Sequence, residues 1–421
     1  MADIRLERTF WPVGHGAFYT EHFYNRENDC TFTAVYDCGG KGALRKKKNT
    51  PAQSSLFMQD KVNEFIGSIF YGDAPKVDLL FISHLHRDHI NGVPDLLPYV
   101  KRLVLPQLEE EAYVEAFMYN AITSGNNVLD VDSNIQSFIV SLASDDRGID
   151  TRITRVRPSN NDNPNLDHPE EVTSEQLGSV IDSGTPIHVP PTLYHNGKPF
   201  WIYIPVNLPI KTDKKESLSD VLCSKLGANL KGANGKIIWS NLQDALRQAD
   251  IAEIKKIYED YFDIKYYDHN FYSMPVFSGP VIGAPHHWYI DETNMFDEWY
   301  NDFHWRRFRW HIPHHNQKLL SCLYMGDFEA KKQDNMATLV AELKDYYYRA
   351  GIQQVPHHYS WYNHNEHLYE HRILAFGNVD DNKDDSYSHR VFRDILFSMF
   401  LPPLVITEND EQKTIEYKMY F

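Results

Sequence analysis

The chain is expected to fold as a layered α/β sandwich, and three features of its 421 residues point there. The opening stretch, through Gly40, alternates apolar and polar positions around turn signals, as half-buried antiparallel strands do. The run Val77-Asp78-Leu79-Leu80-Phe81-Ile82-Ser83 is a short apolar run of the kind that forms a buried strand. Helical and strand-like segments then follow one another in a regular rhythm up to about residue 105, which suits helices layered on a sheet.

Taken in order, Phe10-Trp11-Pro12-Val13-Gly14-His15-Gly16-Ala17-Phe18-Tyr19 and Phe32-Thr33-Ala34-Val35-Tyr36-Asp37-Cys38-Gly39-Gly40 read as consecutive strands closing in a glycine-rich loop. Residues 54–71 read as a helix, with Leu56, Val62, Phe65, Ile66 and Ile69 at helical spacing. The strand at 77–83 delivers His84 at its end, and a short helix and a strand at 102–105 complete the first unit, residues 1–108. From 109 to 267 the rhythm breaks. Helices are expected at 109–122, 135–143, 217–230 and 241–262, and strands at 187–189 and 201–206, around a polar stretch at 159–169. This segment reads as a large, mostly helical insertion or cap. Regular patterning returns over 268–421, with strands at 271–277, 352–355, 373–376, 404–407 and 414–420. A hairpin pairing 308–312 with 319–325 and helices at 329–350 and 389–400 complete it.

Composition limits the function classes. The net charge of −16 argues against a protein that grips long duplex DNA through a basic stripe, and the one dense basic run, Arg45-Lys46-Lys47-Lys48, reads as a solvated loop. The four cysteines are too widely spaced for a zinc ribbon and read as core or near-surface thiols. No apolar run approaches the ~20 residues of a membrane helix, and charges among residues 1–7 take the place of a signal peptide's apolar stretch. A cytoplasmic protein with no membrane partner is expected, and the oligomeric state is left open.

Chemistry concentrates in the histidines, many of which fall in short clusters. In Ser83-His84-Leu85-His86-Arg87-Asp88-His89-Ile90-Asn91-Gly92 the segment leaving the strand is extended, so residues i and i+2 project to one side. His84 and His86 can therefore bind one metal together, and Asp88 and His89 on the following turn can bind a second. Leu323-Tyr324-Met325-Gly326-Asp327 is another apolar strand ending in a carboxylate, which can bridge two cations. In Val355-Pro356-His357-His358-Tyr359-Ser360 a third strand ends in a histidine pair, of which His357 is the preferred ligand. His311, His314 and His315 could line a substrate cleft, but an exposed hairpin tip is the better reading. Tyr346, Tyr347 and Tyr348 read most simply as packing, with a stacking platform for bases as the alternative.

These three elements, in this order, resemble the metallo-β-lactamase fold superfamily, and most closely the soluble hydrolase domain of the ComEC type. Asn270-Phe271-Tyr272-Ser273 opening a strand, and the late segment from Gly377 to His389, add to the likeness, which covers roughly residues 4–105 and 268–400. The resemblance implies a four-layer αββα sandwich and two divalent metal ions, zinc or manganese. His84 and His86 would hold the first metal, Asp88, His89 and His357 the second, and Asp327 would bridge them. Asp88 and His389 would serve catalysis, His389 by contacting or protonating the scissile group, and His358 and Ser360 would touch substrate. The superfamily's further histidine ligand has two candidates, His286 and His287, whose alternative is a surface pair. Tyr359 stands where the ComEC pattern tends to glycine.

The activity this implies is a phosphodiesterase or nuclease in which a metal-activated water attacks a phosphodiester of nucleic acid or a nucleotide. The same site could instead serve an acyl hydrolase acting on an ester, lactone or amide. A third possibility is an inactive binding or regulatory protein that keeps the fold.

Overall fold

The structure is a computed structural model. It describes residues 3–42, 51–69, 76–123, 133–144, 151–159, 170–194, 197–209, 214, 216–227, 229–263, 273–283, 287–293, 317–380, 389–399 and 403–420. The basic run 45–48, the strand 308–312, residues 270–272 and His286, His311, His314 and His315 lie outside the described residues.

In chain order the strands are β1 (Asp3–Phe10), β2 (Gly16–Asn25), β3 (Cys30–Gly40), β4 (Leu79–Phe81), β5 (Arg102–Pro106), β6 (Arg152–Val156), β7 (Val172–Thr173), β8 (Val180–Ile181) and β9 (Ile187–His188). They continue as β10 (Trp201–Pro205), β11 (Val276–Pro280), β12 (His287–Thr293), β13 (Cys322–Tyr324), β14 (Ile352–Gln354), β15 (Leu374–Asn378), β16 (Leu404–Ile406) and β17 (Lys413–Tyr420). The helices are α1 (Pro51–Ser68), α2 (Arg87–Ile90), α3 (Val93–Leu96), α4 (Glu110–Thr123), α5 (Ser133–Ser144) and α6 (Leu218–Leu226). After them come α7 (Trp239–Gln248), α8 (Ile251–Phe262), α9 (Gln333–Leu343), α10 (Asp345–Arg349) and α11 (His389–Ser398).

The strands form two mixed sheets, so the α/β class expected from the sequence holds. The first has the order β12-β17-β1-β2-β3-β4-β5-β6-β8, antiparallel as far as β3 and parallel beyond it. The second runs β16-β15-β14-β13-β11-β10-β9-β7, with β16 to β13 parallel and β13 to β9 antiparallel. Strand β1 pairs with β17 from Asp3 opposite Tyr420 to Phe10 opposite Lys413, so the two ends of the chain close one sheet.

Apolar side chains gather in three clusters. One draws on both sheets, joining Phe10, Phe23 and Phe81 to Trp201, Tyr324 and Phe376. A second sets α1, α4, α5 and α8 against the first sheet through residues such as Phe65, Phe117, Ile139 and Tyr258. The third sets α9 and α11 against the second sheet through Leu339, Leu343, Val391 and Ile395. Across the middle cluster runs a buried polar network. Arg8 Nε lies 2.8 Å from Glu21 Oε1, and Glu21 accepts hydrogen bonds from Tyr203, Ser278 and Tyr324 of the other sheet.

Several boundaries differ from the sequence reading for local reasons. The helix expected over 329–350 is broken at Lys344, whose φ is 50°, into α9 and α10. That expected over 241–262 is split where Asp250 caps α8 by accepting from Ala252 N at 2.9 Å. Gly227, at φ 62°, ends α6. Segment 109–267 supplies β6 and β8 to the first sheet and β7, β9 and β10 to the second, so it is woven into both sheets. Among the described residues no helix is long and apolar enough to cross a membrane.

Candidate metal centre

The histidine motif leaves the first sheet at the end of β4. Ser83 N donates to Asp37 Oδ1 and Ser83 Oγ to Asp37 Oδ2, both at 2.7 Å, which fixes the extended exit from the strand. His86 stays extended, at φ −74° and ψ 147°, and the chain then winds into the short α2. The turn presses on the glycine-rich end of β3. A Cβ on Gly39 would stand 2.5 Å from the carbonyl carbons of Asp88 and His89, so only glycine admits this approach. Asn91 locks the arrangement by accepting from Gly40 N and donating to Gly40 O, each at 2.8 Å.

The second sheet brings two more strand ends alongside. After β13, Gly326 takes φ 53°, and Met325 N and Gly326 N donate to Gln354 Oε1 at 2.8 and 2.9 Å. Asp327 N donates to Ser273 Oγ at 2.9 Å, which aims the carboxylate at the histidines. After β14, His357, His358 and Tyr359 adopt left-handed φ values of 48°, 49° and 65° in succession. A strained turn of this kind persists only where its surroundings hold it. Here His357 Nδ1 meets Asn363 Oδ1 and His358 Nδ1 meets the Asn378 carbonyl, each at 3.1 Å.

Asp327 is the hub. Its Oδ1 lies 3.1 Å from His89 Nε2 and 3.5 Å from His358 Nε2, and its Oδ2 lies 3.7 Å from both His84 Nε2 and His357 Nε2. Three overlapping groups of side chains, His84/His86/Asp327, His89/Asp327/His358 and His15/Asp88/His358, are spaced so that each could hold a metal ion. The outward nitrogens are engaged by neighbours. His84 Nδ1 faces Ser83 Oγ at 2.9 Å, His89 Nδ1 faces Asp37 Oδ2 at 2.8 Å, and His86 Nε2 faces Glu115 Oε1 at 3.3 Å. Such contacts set ring orientation and tautomer, as around metal-bound imidazoles.

Electrostatics divide the histidines. Burial pushes His84 and His358 well below the usual histidine range, helped by neighbouring imidazoles, and pushes His357 down as well. These rings are therefore neutral and keep a lone pair for a cation. Burial also acts to lower His89, but Asp327 and Asp37 outweigh it and hold the ring well above the usual range. Burial works to raise Asp88 and Asp327, yet Lys41 and His15 around the first, and His89, His357 and His358 around the second, hold both well below the carboxylate range. Among the described residues, His84 Nε2 and His358 Nε2 are buried with no hydrogen-bond partner. A buried polar atom left so is costly unless something else meets it, and a divalent cation among imidazoles and carboxylates would do so.

Of the residues singled out in the sequence, His84, His86, Asp88, His89, Asp327, His357 and His358 all come together. His358, expected to touch substrate, belongs to two of the three groups, and His357, expected as a ligand, belongs to none. Ser360 Oγ accepts from Tyr362 N at 3.3 Å and caps the turn Trp361–Asn363. His389 is exposed at the start of α11. His287 opens β12, an edge strand separated from β3 by β17, β1 and β2. Sequence reasoning missed His15, Lys41, Asp37 and Glu115. A lone acid inside the apolar strand Val35-Tyr36-Asp37-Cys38 was the one available signal, since a buried carboxylate needs a partner. No protein-family model matches the chain, and no curated protein matches its sequence.

Proposed function

We propose that the chain is a divalent-metal-dependent hydrolase of the metallo-β-lactamase superfamily, acting on phosphodiesters of nucleic acid or a nucleotide. The observation that carries this reading is the meeting of strand ends from both sheets around Asp327, with His84 Nε2 and His358 Nε2 buried and lacking hydrogen-bond partners. One cation would be held by His84, His86 and Asp327, and a second, adjoining, at Asp88 and His358, with His89 reaching Asp327 and His358. Imidazole with carboxylate suits zinc or manganese. Such a pair supplies a nucleophilic water at neutral pH and neutralises charge that develops on the phosphoryl group.

The superfamily assignment is also supported by the layer order that the three apolar clusters describe, helices, sheet, sheet, helices. The protein's own groups prepare the site. Asp37 and Glu115 orient His89 and His86, and Asn363 orients His357. Lys41 Nζ, on a side chain 31% exposed, sits 3.2 Å from Asp88 Oδ2 at the edge of the site, where an ammonium can meet a phosphoryl oxygen. That cation favours a phosphodiester over a neutral ester.

The test is hydrolysis of bis(p-nitrophenyl) phosphate and p-nitrophenyl acetate by protein loaded with zinc or manganese, with Asp327→Ala as control. Phosphodiester cleavage that disappears in the variant supports the proposal. Cleavage of the acetate alone transfers the reading to an acyl hydrolase. Wild-type protein that takes up no metal and turns over neither compound refutes it.

A further inference from the structure

We infer that His15 is a ligand of the second cation, added to that position from outside the histidine motif; the inference rests on the metal-site reading above. His15 lies in the turn between β1 and β2, within Val13-Gly14-His15-Gly16, and its Nε2 is 3.2 Å from Asp88 Oδ2. Its ring sits against that of His358, with centroids 4.0 Å apart at 35°. His358 commits Nδ1 to the Asn378 carbonyl and turns Nε2 inward, 3.9 Å from Asp88 Oδ2. That nitrogen is buried and has no hydrogen-bond partner among the described residues.

The ligand atoms of His15, Asp88 and His358 all lie within 4.8 Å of one another. Two bonds of about 2.2 Å to one zinc ion put ligand atoms at most about 4.4 Å apart, so a shift of a few tenths of an ångström closes this set on a cation. The His15 backbone is tied in place on both sides. His15 N donates to Asp380 Oδ1 at 3.0 Å, and its carbonyl accepts from Lys41 N at 2.9 Å. The ring is thus presented to Asp88 by a fixed turn, and its partial exposure, 23%, puts it on the solvent side of the position.

Lys41 Nζ shares Asp88 Oδ2 with His15, also at 3.2 Å. As a monocation on a flexible stem, Lys41 is the group a divalent ion displaces. The same event frees its ammonium for an anionic substrate. Three strand ends and one turn then define the cation pair, and the turn contributes the ligand nearest to solvent.

Calorimetric titration of metal-free protein with zinc chloride, with stoichiometry checked by elemental analysis after gel filtration, tests the inference. Wild type is expected to bind two equivalents. His15→Ala, with circular dichroism and melting confirming its fold, is expected to keep the first and bind the second at least about 10-fold more weakly. His15→Gln is expected to behave alike, and His15→Asp, which again offers a ligand oxygen, to restore the second equivalent. Wild-type protein that binds one equivalent only, or His15→Ala protein that binds both with wild-type affinity, overturns the inference and leaves the first cation position standing. Wild-type protein that binds none overturns this inference and the proposed function together.

Discussion

His86 Nε2 lies 3.3 Å from Glu115 Oε1, and Glu115 belongs to α4, the first helix of the 109–267 segment. The same carboxylate accepts a short hydrogen bond from Tyr258 of α8. Tyr119 stacks on the His86 ring at 3.6 Å, and Asn120 both accepts from Arg87 N and donates to the Leu85 carbonyl. Glu115 thus holds the His86 ring in the group it forms with His84 and Asp327. Glu115→Ala should therefore weaken metal binding about 10- to 100-fold, the usual effect of losing a carboxylate behind a ligating histidine. Competition with a chromophoric zinc chelator measures this, and an unchanged affinity would show that α4 packs beside the motif without aiming it.

Gly39→Ala tests the close approach of β3 to the motif. The added methyl would stand 2.5 Å from the carbonyl carbons of Asp88 and His89, both backbone atoms, so one strand must move. A loss of about 1–3 kcal/mol in unfolding free energy is expected, typical of overpacking. Metal uptake should fall with it, because Asp88 and His89 ride on the displaced turn. A variant with wild-type stability and metal content would mean that β3 and the motif separate easily.

The candidate ligands that were legible in the sequence share one property: each stands at the end of an apolar run. His84, His86, Asp88 and His89 follow β4, Asp327 follows β13, and His357 and His358 follow β14, and a strand end is where a sheet presents side chains. Choosing between His357 and His358 needed backbone angles, since three successive left-handed residues turn both rings in a way that period-2 alternation does not encode. His15 was not legible because a histidine between two glycines reads as a turn, and its nearness to Asp88 arises only from the pairing of β2 with β3. Glu115 was hidden for the opposite reason, being one acid in a helix that opens with Glu110 and Glu111. The short strands β7 and β8, two residues each, carry too little pattern to be seen within a segment read as a mostly helical insertion or cap.

His22 predicts how stability responds to acid. Burial, aided by Arg5, pushes its pKa down to about 4, while the unfolded chain has the ordinary value near 6.5. As pH falls through 6.5 the unfolded state takes up the proton and the folded state does not. Stability present above that pH is therefore lost between about 6.5 and 4. For one group the slope is about 1.4 kcal/mol per pH unit, or about 3 kcal/mol in all. His84 and His358 shift in the same direction, so the metal-free protein should lose more than this. Urea unfolding of metal-free His22→Asn from pH 6.5 to 4.5 should give a slope shallower than wild type by about one proton. Parallel curves for the two proteins would place the acid sensitivity elsewhere.

The Arg8–Glu21 pair, carried by β1 and β2, ties the first sheet to the second. Arg8 is fully buried. Besides Glu21 it donates to the Leu320 carbonyl at 2.9 Å and the Tyr417 hydroxyl at 3.2 Å. Glu21→Ala would strand that guanidinium and remove the acceptor that Tyr203, Ser278 and Tyr324 share, so a loss of about 3–5 kcal/mol is expected. Replacing both partners by apolar residues, Arg8→Met with Glu21→Leu, takes away the uncompensated charge and should recover much of the loss, though the three hydroxyls still need new partners. Unfolding of both variants in urea, with zinc stoichiometry measured on whatever stays folded, separates the alternatives. A Glu21→Ala variant destabilised by less than about 1 kcal/mol would mean that water reaches the guanidinium and that the sheets are joined by apolar packing alone.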